Sequence, residues 1–135
     1  MRVRKSSEII NYLEDNDLAD IEELKQKGNY TIIRFYYDFD KEELSSAKTY
    51  STEESDFEPE SDEWYNEYYI PYLRDIAVDN VESIIEDIME EFEIEAKYKE
   101  LGMENGDASY FKFIAAFSDE LTDIEMEDIL NDYYE

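Results

Sequence analysis

The most regular pattern of apolar and polar positions in this chain lies between residues 72 and 93. Apolar side chains recur there at every third or fourth position for more than five turns, which is the spacing of one buried face on an amphipathic helix. The residues on that face are Leu73, Ile76, Ala77, Val81, Ile84, Ile85, Ile88, Met89 and Phe92. The pattern predicts a long helix that follows Pro71 and is ended by Gly102 and the pair Asn105-Gly106.

Other segments alternate with the two-residue period of a β-strand. Residues 30–39 are β-branched and aromatic, with Ile33 and Phe35 on the same face. Residues 110–117 alternate in the same way. Both segments therefore predict strands. Residues 48–52 are expected to pair with the first strand as a hairpin.

Capping residues predict two short helices near the N-terminus. Ser6 or Ser7 can cap the first of them, whose apolar residues have helical spacing. Asp17 and Asp20 imitate a capping box before a second apolar series that stops at Gly28. We therefore expect residues 1–29 to be a helical segment.

The middle and the end of the chain carry further signals. Residues 53–63 hold seven acids and a proline, which is typical of a solvated loop, and the aromatic residues 64–69 after it are expected to be helical up to Pro71. Thr122 and Glu125 form a capping box before a last amphipathic helix.

These elements predict an α+β fold in the order ααββααβα. A small, mostly antiparallel sheet of about three strands would pack against the long helix and several shorter ones. At 135 residues the chain is expected to form one acidic domain, residues 1–135, with a near-neutral N-terminal part at 1–29 and an acidic loop at 53–63.

The charge of the chain limits what it can do. There are 39 Asp and Glu against 12 Lys and Arg, giving a net charge of -27, and there is no His or Cys. Nucleophile systems that use His or Cys, zinc sites and disulfides are excluded, so we expect no enzyme activity, no cofactor and no bound metal. Direct binding to nucleic acid is also not expected, because the affinity for phosphates comes from Lys and Arg.

The chain nevertheless has enough apolar material to fold. Hydrophobic residues make up 42% and aromatic residues 16% of it, which exceeds what an acidic disordered tail contains. Its apolar runs fall short of the ~20 residues of a membrane span, and its basic N-terminus lacks the apolar run of a signal peptide. We therefore expect a cytoplasmic protein that does not bind membranes.

The acids are unevenly distributed. Residues 1–34 have a net charge of -1, whereas residues 35–135 have a net charge of -26. On the predicted long helix, Glu82, Glu86, Glu90 and Glu93 form a stripe with successive carboxylates about 5 to 6 Å apart along the axis. Like charges four residues apart destabilise a helix by roughly 0.2–0.5 kcal/mol per pair, so the sequence forgoes stability at this stripe.

This pattern leads to a hypothesis of nucleic-acid mimicry. Averaged over about 7,500 Å² of surface, the charge is one per roughly 275 Å², against roughly 105 Å² for duplex DNA. Mimicry therefore requires the acids to be concentrated on part of the surface. The candidate partner-binding residues are Asp56, Glu58, Glu60, Asp62, Glu63, Glu82, Glu86, Glu90, Glu93, Asp119, Glu120, Asp123, Glu127, Tyr65 and Tyr68.

The expected function is an acidic inhibitor that occupies the cationic groove of a basic, nucleic-acid-binding protein. Anti-restriction and anti-CRISPR inhibitors of phages and mobile elements have a similar general composition. An alternative is an immunity protein that neutralises one basic toxin, such as a nuclease, with Tyr65 and Tyr68 as anchors. A carboxylate-based metal-binding protein or enzyme is a more remote alternative. The sequence does not specify an oligomeric state.

Overall fold

The computed structural model of the protein describes residues 2–27, 29–104 and 107–132. These residues form four β-strands, five α-helical segments and one π-helical turn. In chain order these are α1 (Arg2–Asp15), β1 (Ala19–Lys27), β2 (Tyr30–Asp38), α2 (Lys41–Glu54), α3 (Asp62–Trp64), the π turn (Tyr65–Tyr69), α4 (Ile70–Phe92), β3 (Glu95–Glu104), β4 (Asp107–Ser118) and α5 (Asp123–Asn131).

The four strands form one sheet in the order β1-β2-β4-β3, and every neighbouring pair is antiparallel. The prediction of an α+β fold with an antiparallel sheet and a long helix is confirmed. The sheet has four strands where about three were predicted. The order of the elements is close to the predicted one, but three segments differ in type.

The two faces of the sheet are covered by different helices. One face packs Phe35, Phe113 and Phe117 against apolar residues of α1 and α4, with α2 behind them, and this is the larger core. The other face packs Ile32 and Ile114 against α5. Helix α5 therefore lies on the opposite side of the sheet from α4, which decides where the acidic segments can meet.

The long helix is confirmed, and its buried face is the predicted one. Leu73, Ala77, Val81 and Ile88 are fully buried. The helix ends earlier than predicted, however, because Glu93 adopts a left-handed conformation with φ of 55° directly after Phe92. Residues 95–104, expected to be helical, form the edge strand β3.

The second N-terminal helix predicted in residues 17–28 is wrong, because this segment is the edge strand β1. Asp17 has φ of 68° and cannot act as an N-cap, which needs extended backbone. Ile21 and Leu24 have helical spacing but contact opposite cores, one on each face of the sheet. Residues three positions apart also fall on opposite faces of a strand, so this spacing fits β1, whose register against β2 is irregular on both sides of Glu22 and Glu23.

The predicted strand at residues 48–52 is also wrong, because it lies inside α2. Asp40 caps this helix: its carboxylate accepts from the amide of Glu43 at 2.7 Å, and the Glu43 carboxylate accepts from the Asp40 amide at 3.0 Å. This is a complete capping box. The small buried residues Ala47 and Ser51 then allow α2 to approach the π turn and α4.

The π turn joins α3 to α4 without a break. The amide of Ile70 donates to the carbonyl of Tyr65, five residues back. Pro71 follows immediately, and a proline ring clashes with the carbonyl four residues before it, so the widened turn lets the helix continue through the proline. The result is a continuous rod from Asp62 to Phe92, about 45 Å long at 1.5 Å per residue.

Candidate functional site: an acidic stripe and an aromatic patch

The most extended charged feature of the molecule runs along α4. Six exposed carboxylates fall on one side of the helix, and we call this set the acidic stripe. Its members are Asp75, Asp79, Glu82, Glu86, Glu90 and Glu93. The stripe includes the four predicted glutamates and extends them by about two turns towards the N-terminus. All six point away from the core, because the opposite side of α4 is buried against the sheet.

The charge density of α4 is close to that of a nucleic-acid strand. Asp87 and Glu91 are also exposed, on a second flank of the helix, so residues 75–93 carry eight carboxylates and no base. These span about 27 Å of helix axis from first to last, a mean spacing of about 3.9 Å. One strand of duplex DNA has one phosphate per about 3.4 Å of axis. The resemblance lies in linear density, since the carboxylates are spread over two flanks.

The tyrosines beside α4 are affected by this negative charge. Burial and then the charges of Glu82 and Glu100 raise the pKa of Tyr98 on β3. On the other side of α4, desolvation and then the charges of Asp87 and Glu91 raise the pKa of Tyr12. The negative potential therefore extends over both flanks of the helix.

The one base on α4, Arg74, is already paired within the chain. Its Nε and one terminal nitrogen donate to the two carboxylate oxygens of Glu100 on β3 at 2.7 and 2.9 Å. A further terminal nitrogen lies 3.6 Å from Asp75. The hydrogen bonds that Arg74 donates to Glu100, followed by the charge of Glu100, raise the pKa of Arg74. The fork geometry holds the guanidinium against Glu100 of β3.

The acidic loop lies at the other end of the same rod. Its predicted binding residues Asp56, Glu58, Glu60, Asp62 and Glu63 are all exposed. The last two occupy the first turn of α3, where the helix dipole favours negative charge. About 30 Å of axis separates this turn from the predicted glutamates of α4, with the first members of the acidic stripe between them.

The acids of the C-terminal helix do not join this surface. Asp123 and Glu127 lie on the far side of the sheet and pair with bases of β3: Lys97 is 3.3 Å from Asp123, and Lys99 is 3.1 Å from Glu127. The hydrogen bond and charge of Lys99 lower the pKa of Glu127. Asp119 and Glu120 lie between β4 and α5, and Asp119 lines a small pocket with Ser6 and Ile9 of α1. The sheet thus separates Asp123 and Glu127 from the predicted acids of the rod.

The two predicted aromatic anchors have different surroundings. Tyr65 packs against the larger core and against the rings of Trp64 and Tyr69, with centroid distances of 5.0 and 5.4 Å. Tyr68 instead faces Tyr50 of α2 and Phe57 of the loop, at 6.3 and 6.2 Å.

Tyr68 belongs to a cluster of four rings that we call the aromatic patch: Tyr50, Phe57, Tyr68 and Tyr72. Tyr50 and Phe57 are 42% and 37% exposed. The sequence pattern misses them as site residues because Tyr50 is read as part of a strand. The capping box at Asp40 and Glu43 is the signal that could have placed Tyr50 on a helix.

A cleft of about 510 Å³ opens between α4 and the end of β2. At its base the Tyr37 hydroxyl donates to Glu43 at 2.7 Å and accepts from the Asn80 amide at 3.0 Å. Burial and the bond to Glu43 raise the pKa of Tyr37. The side chains of Tyr37, Glu43 and Asn80 in the cleft are therefore hydrogen-bonded to one another.

Within residues 2–27, 29–104 and 107–132, no group of three or more Asp and Glu side chains is placed to hold a metal ion. No helix in the same part of the chain is long and apolar enough to cross a membrane. The sequence matches no known protein-family model, and neither the curated proteins nor the solved structures contain a significant match. Function is therefore inferred from the surface of the molecule itself.

Proposed function

We propose that the protein is an acidic nucleic-acid mimic that inhibits a basic, nucleic-acid-binding protein by occupying its cationic groove. The observation that carries this proposal is the charge density along α4, one carboxylate per about 3.9 Å over about 27 Å. A groove lined by Lys and Arg that accepts a nucleic-acid strand meets a similar number of negative charges per unit length here.

The surface area supports a local form of mimicry. The described chain exposes 8017 Å², so its net charge of -27 averages about one charge per 300 Å². This is about three times more dilute than a DNA duplex, at roughly 105 Å² per charge. The whole surface is too dilute to imitate a DNA duplex, whereas α4 comes close to the linear charge density of one strand. We therefore assign the binding surface to the acidic stripe and the acidic loop, and leave α5 outside it.

The rigidity of the helix supports the same assignment. The apolar side of α4 is packed against the sheet, and Leu73, Ala77, Val81 and Ile88 are each 0% exposed. A helix anchored along this length holds its carboxylates at fixed positions, so little conformational entropy is lost when a partner binds. Long-range attraction between the stripe and a cationic groove would also accelerate association and make it sensitive to salt.

The test is displacement of a labelled DNA duplex from a panel of purified proteins with cationic grooves, such as restriction enzymes, CRISPR effectors and nucleoid proteins. The protein should displace DNA from at least one of them, and less effectively as salt increases. The triple variant Glu82→Gln, Glu86→Gln and Glu90→Gln should bind roughly 3- to 150-fold more weakly, at about 0.2–1 kcal/mol per exposed ion pair.

The matched control neutralises three exposed acids on the α5 side, Glu120, Asp128 and Asp132, and has the same net charge as the stripe variant. It should retain displacement. Equal loss in both variants would mean that binding follows net charge and that the stripe is not the site. Failure to displace DNA from every protein of the panel would overturn the proposal.

A second candidate is an immunity protein that neutralises one basic toxin, and the aromatic patch favours it. Interfaces with a single cognate partner depend on a few aromatic anchors, and Tyr68 is placed as such an anchor. In this case Tyr68→Ala should weaken binding more than any single Glu→Gln change in the stripe. A toxin gene beside the gene for this protein would support this candidate, and phage genes would support the mimic.

A further inference from the structure

The aromatic patch is formed by three segments that are separate in sequence. Tyr50 comes from the end of α2, Phe57 from the loop, and Tyr68 and Tyr72 from the π turn and the start of α4. Tyr50 lies 5.0 Å from Tyr72 and 6.3 Å from Tyr68, measured between ring centroids. The patch therefore depends on how α2 docks against the rod.

The outer rings of this patch contribute little to the hydrophobic core. Tyr50, Phe57 and Tyr68 belong to neither of the two core clusters, whereas the neighbouring Trp64 and Tyr69 are buried in the larger one. A group of exposed aromatic rings in contact with one another marks an interaction surface more often than single exposed apolar residues do. The π turn that supplies Tyr68 supports the same interpretation, since such turns are frequent at functional sites.

The charge around the patch specifies the kind of partner. Residues 50–72 contain eight acids and no base, a net charge of -8. The bases nearest in sequence are Lys48 and Arg74. Arg74 is held by Glu100 on β3. Lys48 lies two residues before Tyr50 on α2, about 200° around the helix axis, which is almost the opposite side of the helix. The faces of aromatic rings attract cations, and surrounding carboxylates add to that attraction.

We propose that the aromatic patch is a binding site for an arginine side chain of the partner. A guanidinium group is planar and weakly hydrated, so it stacks on an aromatic face while its N–H groups reach nearby carboxylates. An ammonium group is strongly hydrated and lacks this planar face. The site thus discriminates arginine from lysine, which the acidic stripe alone does not. This inference rests on the proposed binding of a basic partner and identifies the anchor of that contact.

The test compares binding of two peptides, nona-arginine and nona-lysine, to the full chain by isothermal titration calorimetry. Each exposed cation–aromatic contact contributes roughly a 2- to 5-fold change in affinity. The affinity for nona-arginine should therefore be at least about 5-fold higher than the affinity for nona-lysine. The variant Tyr50→Leu/Tyr68→Leu retains apolar bulk and removes two ring faces, and it should bind both peptides equally.

The control variant Tyr36→Leu/Tyr110→Leu removes a ring pair, 5.1 Å apart, from the opposite face of the sheet. It should keep the preference for arginine. Circular dichroism checks that both variants are folded. Equal binding of the two peptides to the unchanged protein, or a preference for arginine that survives in the patch variant, would overturn the proposal.

The stripe variant separates this inference from the proposed function. Neutralising Glu82, Glu86 and Glu90 should weaken binding of both peptides equally and reduce its salt dependence. If it does not, while the patch variant loses its preference for arginine, the proposed role of the stripe fails and the arginine site stands. If the stripe variant behaves as expected and the patch variant is unchanged, the stripe stands and the arginine site fails.

Discussion

Replacing Glu86 by lysine is expected to make the protein more stable and a weaker binder. Glu86 lies at the centre of the acidic stripe, with Glu82 and Glu90 one turn away on either side. At a separation of about 6 Å, two unit charges in water repel by about 0.7 kcal/mol, which falls to about 0.3 kcal/mol at physiological ionic strength. This agrees with the range of roughly 0.2–0.5 kcal/mol measured for such pairs on helices.

The magnitude follows from counting the pairs that change. Glu86→Gln removes two repulsions and should raise the free energy of unfolding by about 0.4–1 kcal/mol. Glu86→Lys also creates two attractions of similar size, for a total of about 0.8–2 kcal/mol. For a chain of this length that corresponds to an increase in Tm of about 3 to 10 °C.

The assay is urea denaturation followed by circular dichroism, at low salt and at about 0.5 M NaCl, where exposed charges are largely screened. The order of stability at low salt should be lysine, glutamine and then glutamate, and the differences should shrink at high salt. In the DNA displacement assay the lysine variant should be the weakest of the three.

Two results would refute this reasoning. If the glutamine variant were no more stable than the unchanged protein at low salt, the carboxylates of the stripe would not be repelling one another. If the lysine variant were more stable but displaced DNA as well as the unchanged protein, the stability forgone at the stripe would not serve binding. Stability sacrificed at a functional surface is common in natural proteins.

Three further outcomes are expected. The hydrogen bond and charge of Lys99 lower the pKa of Glu127 in the folded protein. The ion pair between Lys99 and Glu127 therefore stabilises the fold at pH values above the unfolded pKa of Glu, about 4.3. This stabilisation is lost as the pH falls through the lower pKa that Glu127 has in the folded protein. Glu127→Ala should therefore be less stable at pH 7 in urea denaturation, and the difference should disappear towards pH of about 3. Leu130→Ala should lower the free energy of unfolding by about 2–5 kcal/mol because Leu130 is fully buried, whereas Ile124→Ala in the same helix, at 74% exposure, should change it by less than about 0.5 kcal/mol. Asp40→Ala removes the N-cap of α2 and should cost about 1 kcal/mol in thermal denaturation.

The errors in predicting secondary structure fall at the edges of the sheet. Both edge strands, β1 and β3, are rich in Glu and Lys, which favour helices. Their strand conformation comes from pairing with β2 and β4, which are apolar and were identified correctly. An edge strand is paired on one side only and commonly carries charged side chains, so its sequence resembles that of a helix surface.

Local sequence patterns are also insufficient to predict the aromatic patch of the candidate site. Trp64, Tyr65, Tyr68 and Tyr69 lie close together in sequence, and Tyr65 and Tyr68 are the predicted anchors. Their division between core and surface depends on the π turn and on the docking of α2. Neither can be seen in a local pattern, because each involves residues that are distant in sequence or a change of helical period.

The sequence by itself determined the α+β class, the buried face of the long helix and the exposure of its glutamates. Each of these follows from local periodicity, because a helix that buries one side must expose the other. Tertiary structure alone decided which acidic segments share a surface. Helix α5 crosses to the opposite face of the sheet, where Asp123 and Glu127 pair with Lys97 and Lys99, while the acidic loop leads directly into the rod that contains α4. Such a choice depends on packing between distant segments, and net charge carries no information about it.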